Sequence, residues 1–132
     1  MRRRVLVAVA AACLLAGCGD SADEDAVRAA LTEYTTAMLA GDGAKACARM
    51  TPELQEFVTN AYPEARDCKA AVAAIDDHVS AAGGEIEIDD IEVDGDSASA
   101  LVSSGDEGRG SRQFLRKLSG SWRVDVAPRN TV

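Results

Sequence analysis

The chain has 132 residues, room for one domain, with 14 Lys+Arg against 22 Asp+Glu and a formal charge of −8. A surface of that sign repels polyanions, which excludes nucleic acid as a partner and argues against docking on anionic headgroups. His78 is the only histidine and the cysteines number four, so no metal or cofactor is expected.

The first element is a targeting segment. Arg2, Arg3 and Arg4 precede the apolar run Val5 to Leu15, and small residues then lead to Cys18. This is the layout of a secretory signal peptide. The run of 11 residues is short of the roughly 20 that cross a bilayer core, which argues against an uncleaved anchor. Leu15-Ala16-Gly17-Cys18 resembles a bacterial lipobox. That resemblance implies lipidation of the Cys18 thiol, removal of residues 1–17, and display on the outer face of the cell membrane. The alternative is an ordinary secreted protein cut after Ala16 or Gly17, with Cys18 free. Loss of residues 1–17 removes three arginines and no acid, so 14 less three leaves 11 cations against 22 acids, a charge of −11. Attachment to the membrane then falls to the acyl chains, at about 0.8 kcal/mol per buried CH₂.

Residues 18–25 read as an acylated polar tether whose end starts a helix. Ser21 with Glu24 three residues on fits a capping box, and acids favour a helix N-terminus. The domain proper is expected over 26–127, with 128–132 as a tail. Val27, Ala30, Leu31, Tyr34 and Met38 form one apolar stripe at helical period, stopped by Gly41-Asp42-Gly43. A short helix over about 43–50 follows, with Ala44, Cys47, Ala48 and Met50 inward. Thr51-Pro52-Glu53 opens a third helix, whose buried side is Leu54, Phe57 and Val58. A fourth is expected from about Glu64 to Ala82, striped by Cys68, Ala71, Val72, Ile75 and Val79 and ended by Gly83-Gly84.

After Gly84 the period changes to two. Ile86 and Ile88, then Ile91 and Val93, alternate with acids, and the parity slip at Asp89-Asp90 predicts a β-bulge. Asp94-Gly95 is a hairpin turn signal. Ala98, Ala100 and Val102 mark a second strand, residues 111–118 a third, and Trp122, Val124 and Val126 a fourth after the turn at Ser119-Gly120-Ser121. Helices first and a strand meander afterwards predict an α+β fold, with helices on one face of an antiparallel sheet.

Cys13 leaves with the signal and Cys18 carries lipid, so Cys47 and Cys68 remain. In an oxidising compartment they are expected to form a disulfide stapling the second helix to the fourth. A catalytic thiol would want an electropositive setting, and this chain is acidic.

The order of one long helix, two short helices with a Gly-Asp-Gly entry and a Thr-Pro junction, a further helix and four strands, ending Leu118-Ser-Gly-Ser-Trp122-Arg-Val124, resembles the nuclear transport factor 2-like superfamily. More narrowly, the chain resembles small, Ala-rich actinobacterial lipoproteins of that fold. The resemblance covers about residues 24–127. It implies a cystatin-like α+β cone, with a curved four-stranded sheet whose pocket holds either an acid–base set or none.

Catalysis on that fold needs a carboxylate opposite a hydroxyl donor, or an Asp-Arg-Asp arrangement around a water. Tyr34 is the candidate hydroxyl. Arg112 or Arg116 is expected to point inward from the third strand with Phe114. Trp122 shares a face with Val124 and Val126, where core packing outweighs ligand stacking. No carboxylate stands on an apolar register. Asp76-Asp77-His78 lies beside the helical stripe and lacks ligands at i+4. Asp90 to Gly95 echoes a calcium loop, but its twelfth position is Leu101. The expectation is therefore a lipid-anchored, extracytoplasmic, non-enzymatic domain that binds a small apolar ligand or an envelope protein. The alternative is an isomerase, dehydratase or hydrolase of the same fold with Tyr34 in its pocket. A third reading is a structural envelope protein whose sheet is covered in a homodimer.

Overall fold

The computed structural model describes residues 18–79, 85–104 and 110–129. The expected signal segment 1–17, the expected helix end at Ala82 with Gly83-Gly84, and residues 105–109 lie outside them. Four helices precede four strands: α1 Cys18–Leu39, α2 Gly43–Ala48, α3 Pro52–Ala61, α4 Cys68–Val79, β1 Ile86–Asp94, β2 Ser97–Ser104, β3 Gly110–Leu118 and β4 Ser121–Asp125. The sheet is antiparallel in the order β1-β2-β3-β4. This is the expected α+β architecture, helices packed on an open four-stranded sheet. Among the described residues no helix is long and apolar enough to cross a membrane.

The start of α1 corrects an expectation. Residues 18–25 form the first turns of the helix rather than a tether, so Ser21 lies inside it and does not cap it. At the other end Gly41 takes φ 66, the left-handed conformation that closes a helix most cheaply when no Cβ is present. Asp42 then caps α2 by accepting from the Lys45 N–H at 3.2 Å. Within α2 the inward residues are Gly43 and Ala46, whereas Ala44 and Ala48, expected inside, are exposed. Gly43 meets α4 so closely that a Cβ there would stand 2.7 Å from the Lys69 carbonyl oxygen.

Thr51 caps α3 as expected and is fully buried. Its Oγ1 accepts from the Leu54 N–H at 3.3 Å and donates to the Asp125 carboxylate at 2.7 Å. The residues ahead of α3 extend the sheet. The Thr51 N–H donates to the Val124 carbonyl at 2.8 Å, and the Val124 N–H donates to the Arg49 carbonyl at 2.7 Å. α3 is thus held beside β4, and only its Leu54 and Val58 side packs against the core. Phe57, expected on the buried side, is 65% exposed. α4 starts at Cys68, later than expected, because Asp67 caps it by accepting from the Ala70 N–H at 2.8 Å.

The bulge is where parity placed it. Asp89 pairs with Leu101 and Glu92 with Ser99, so β1 carries one extra residue, and Asp90 takes φ 52. The first hairpin turn is Gly95-Asp96, one residue later than the Asp94-Gly95 signal. The second is Ser119-Gly120, both at positive φ, which suits the twist of a two-residue hairpin. The buried cluster on the helix-covered face joins Val27, Ala30 and Leu31 of α1 to Ile88, Ala98, Ala100, Leu115, Trp122 and Val124. A second cluster, around Met50, Ala46, Cys68 and Val72, ties the helices to one another. Tyr34 and Leu54 pack against both.

Candidate functional site

Cys47 and Cys68 are joined, with their Cα atoms 6.1 Å apart. The bridge links α2 to α4 beside Met50, so it lies within the helical cluster and away from any cleft described below.

The five residues expected in one pocket do not share one. Trp122 is 3% exposed and faces the helices, and Tyr34 packs at the junction of the two clusters. Burial pushes the Tyr34 hydroxyl above its ordinary pKa. On β3, Leu115 is the core residue, opposite Val124. Alternation then sends Arg112, Phe114 and Arg116 to the other face of the sheet, which is the correction to their expected inward orientation. The apolar pair Phe114-Leu115 leaves the parity of this strand open in the sequence. The pairing with Val124 decides it.

On that outer face the arginines meet acids. Arg112 pairs with Asp90 at the bulge, lies 3.9 Å from Glu92, and donates to the Ser99 hydroxyl at 3.0 Å. Arg116 donates to Glu53 of α3 at 2.7 Å, and its Nε lies 3.7 Å from the Asp125 carboxylate. This contact holds the Glu53 carboxyl below its ordinary pKa, and the same partner raises that of Arg116. Glu53 therefore stays ionised. The Nε atoms of Arg116 and Arg123 are both buried without a hydrogen-bond partner.

A cleft of about 820 Å³ opens between α3, the start of β3 and the end of β4. Leu54, Phe57, Phe114 and Val126 give it apolar walls, and Arg112, Arg129, Glu53, Glu56 and Asp125 supply charge at its edges. The size suits a small molecule or a short segment of chain. A second cleft of about 610 Å³ runs along the solvent side of α1, past Arg28, Thr32, Thr36 and Lys45. Neither is lined by Tyr34 or Trp122. Among the described residues no group of three or more His, Cys, Asp or Glu could hold a metal ion.

No protein-family model matches the chain, and no curated protein matches it by sequence. Among solved structures it is similar to a protein of Campylobacter jejuni provisionally named a nuclear transport factor 2-like transpeptidase. The identity is 21% and the TM-score 0.52, over 74% of this chain and 95% of that one. The chain has the nuclear transport factor 2-like fold. The long first helix α1 lies against β1 and β4. The likeness carries the fold, which hosts ligand-binding and enzymatic members alike. Sequence reasoning missed two contributors on this cone, Asp23 and Asp125. Asp23 accepts from Lys117 at 3.1 Å and from the Trp122 indole at 3.4 Å. Neither aspartate is in a motif: Asp125 meets Thr51 across 74 positions, and Asp23 meets Lys117 across 94.

Proposed function

We propose that the chain is the folded head of an extracytoplasmic lipoprotein, freed of residues 1–17 and acylated at Cys18, and that it binds an amphipathic ligand in the cleft beside α3. The observation that carries the binding half is Phe57. Phe57, left 65% exposed, shares the wall of a concave cleft with Leu54, Phe114 and Val126, and together these are the apolar surface a ligand would cover. The charged groups at the edges give such a ligand a polar end to anchor.

Binding is favoured over catalysis by what two of the three cleft carboxylates do. Glu53 is committed to Arg116, and Asp125 accepts from Thr51. A general base needs a pKa near the working pH, whereas Glu53 is pulled the other way. Tyr34, the hydroxyl of the enzymatic alternative, packs into the core rather than lining either cleft. The transpeptidase name of the Campylobacter jejuni neighbour is not carried over, since 21% identity supports the fold alone. The anchor half rests on the Leu15–Cys18 sequence.

Two measurements test the two halves separately. Dansylundecanoic acid titrated into the purified protein should bind with enhanced, blue-shifted emission, and Phe57→Ala should weaken it about tenfold. Equal binding by the variant would remove the cleft from the account. Metabolic palmitate labelling should mark the wild type and not Cys18→Ala.

A further inference from the structure

The first helix is clamped to the β3–β4 hairpin. Asp23 Oδ1 accepts from Lys117 Nζ at 3.1 Å and lies 3.4 Å from the Trp122 indole nitrogen. Lys117 and Trp122 are themselves cross-strand partners, and the Lys117 ammonium sits 5.5 Å from the Trp122 ring centre. Three groups on three elements thus close on one another. The Lys117 hydrogen bond holds the Asp23 carboxyl below its ordinary pKa, so the clamp is charged at neutral pH.

Cys18 precedes Asp23 by five residues of the same helix, about 7.5 Å at 1.5 Å per residue. The turn Ser119-Gly120 lies two or three residues beyond Lys117 and Trp122. The start of α1 and the hairpin tip are therefore at one end of the molecule. The cleft begins at the other end of β4, at Asp125, three residues or about 10 Å past Trp122. A lipid carried on a flexible tether would let the head tumble, whereas a helix pinned within two turns of the lipid would not.

We propose that the Asp23–Lys117–Trp122 clamp fixes the orientation of the head on the membrane, so that the Ser119-Gly120 hairpin faces the lipid surface and the cleft beside α3 opens away from it. This rests on acylation of Cys18 as proposed above. It identifies the hairpin end as the surface apposed to the bilayer and directs the cleft to ligands arriving from outside the cell.

The test uses the full-length acylated protein in phosphatidylcholine vesicles with headgroup-nitroxide lipid. One fluorophore is placed at Ser119→Cys in the hairpin turn or at Asn60→Cys in the wall of the cleft beside α3, both exposed positions. The label at 119 should be quenched at least threefold more than the label at 60. Adding Asp23→Ala, or Lys117→Met as an independent break of the same contact, should bring the ratio close to one. Equal quenching in the unbroken protein, or a ratio unmoved by both variants, overturns the proposal. Intact-mass measurement on the same samples reports the acyl groups. Their absence would sink the lipoprotein reading, and the orientation with it. Their presence with equal quenching sinks the orientation alone.

Discussion

Arg116 and Arg123 stand directly opposite each other across β3 and β4, on the face of the sheet that α1 does not cover. Like charges in register repel, and neither Nε has a hydrogen-bond partner. Arg116 is compensated by Glu53 and Asp125. Replacing Arg123 with Thr, which suits a strand, should therefore raise the urea midpoint, while Glu53→Gln should lower it. A lower midpoint for Arg123→Thr would mean that this guanidinium is satisfied in solution by a partner outside its own strand pair.

The depressed carboxyls set an acid limit. For Asp23 and Glu53 the folded pKa lies below the unfolded one, lowered first by the hydrogen bonds from Lys117 and Arg116. The stability they contribute is fully present above the unfolded value and is lost as pH falls through the folded value. The melting temperature should therefore hold from neutrality to about pH 5, then fall below about pH 4, where ordinary carboxyls protonate. Combining Asp23→Asn with Glu53→Gln should lower the plateau and flatten the acid limb. An acid limb as steep as that of the wild type would assign the loss to other carboxyls.

The stripe of α1, the Thr51-Pro52 junction, the bulge and the strand order were legible because each is a local pattern. Val27, Ala30 and Leu31 repeat at the helical period, and one surplus residue at Asp89-Asp90 shifts the parity. The cleft was not legible, for a physical reason. Which face of β3 is buried depends on its partner across β4, since Phe114 and Leu115 are adjacent and both apolar. The same holds for α3, where Leu54, Phe57 and Val58 all fit one stripe and only the docking against β4 leaves Phe57 outside. The acids over 18–25 suit a solvated linker and a helix start equally well, and α1, which begins at Cys18, takes them into the helix.

The staple between α2 and α4 should matter more than its small size suggests. α2 has six residues, far too few to hold as a helix alone. Closing a loop of 21 positions restricts the unfolded chain by about 3 kcal/mol in the chain-entropy model. Cys47→Ala with Cys68→Ala should lose about that much in chemical denaturation, and reductant should destabilise the wild type to a similar degree. A loss under 1 kcal/mol would show that packing around Met50 and Ala46 already holds α2.

Gly43 tests the same contact from the side of sterics. A methyl group there would meet the Lys69 carbonyl oxygen at 2.7 Å and the Lys69 Cα at 2.9 Å, and backbone atoms in a helix cannot step aside cheaply. In an open helix Gly→Ala stabilises by up to about 1 kcal/mol. Here the overlap should reverse the sign, with Gly43→Ala costing about 1–3 kcal/mol. The methyl and the disulfide act on one α2–α4 contact, so their effects should not add. Once the cysteines are removed, α2 can move away from α4, and Gly43→Ala should cost less than it does in the bridged protein. The four midpoints of this double-mutant cycle decide the matter. Additivity within about 0.3 kcal/mol would mean that the bridge does not set the distance at which α2 approaches α4.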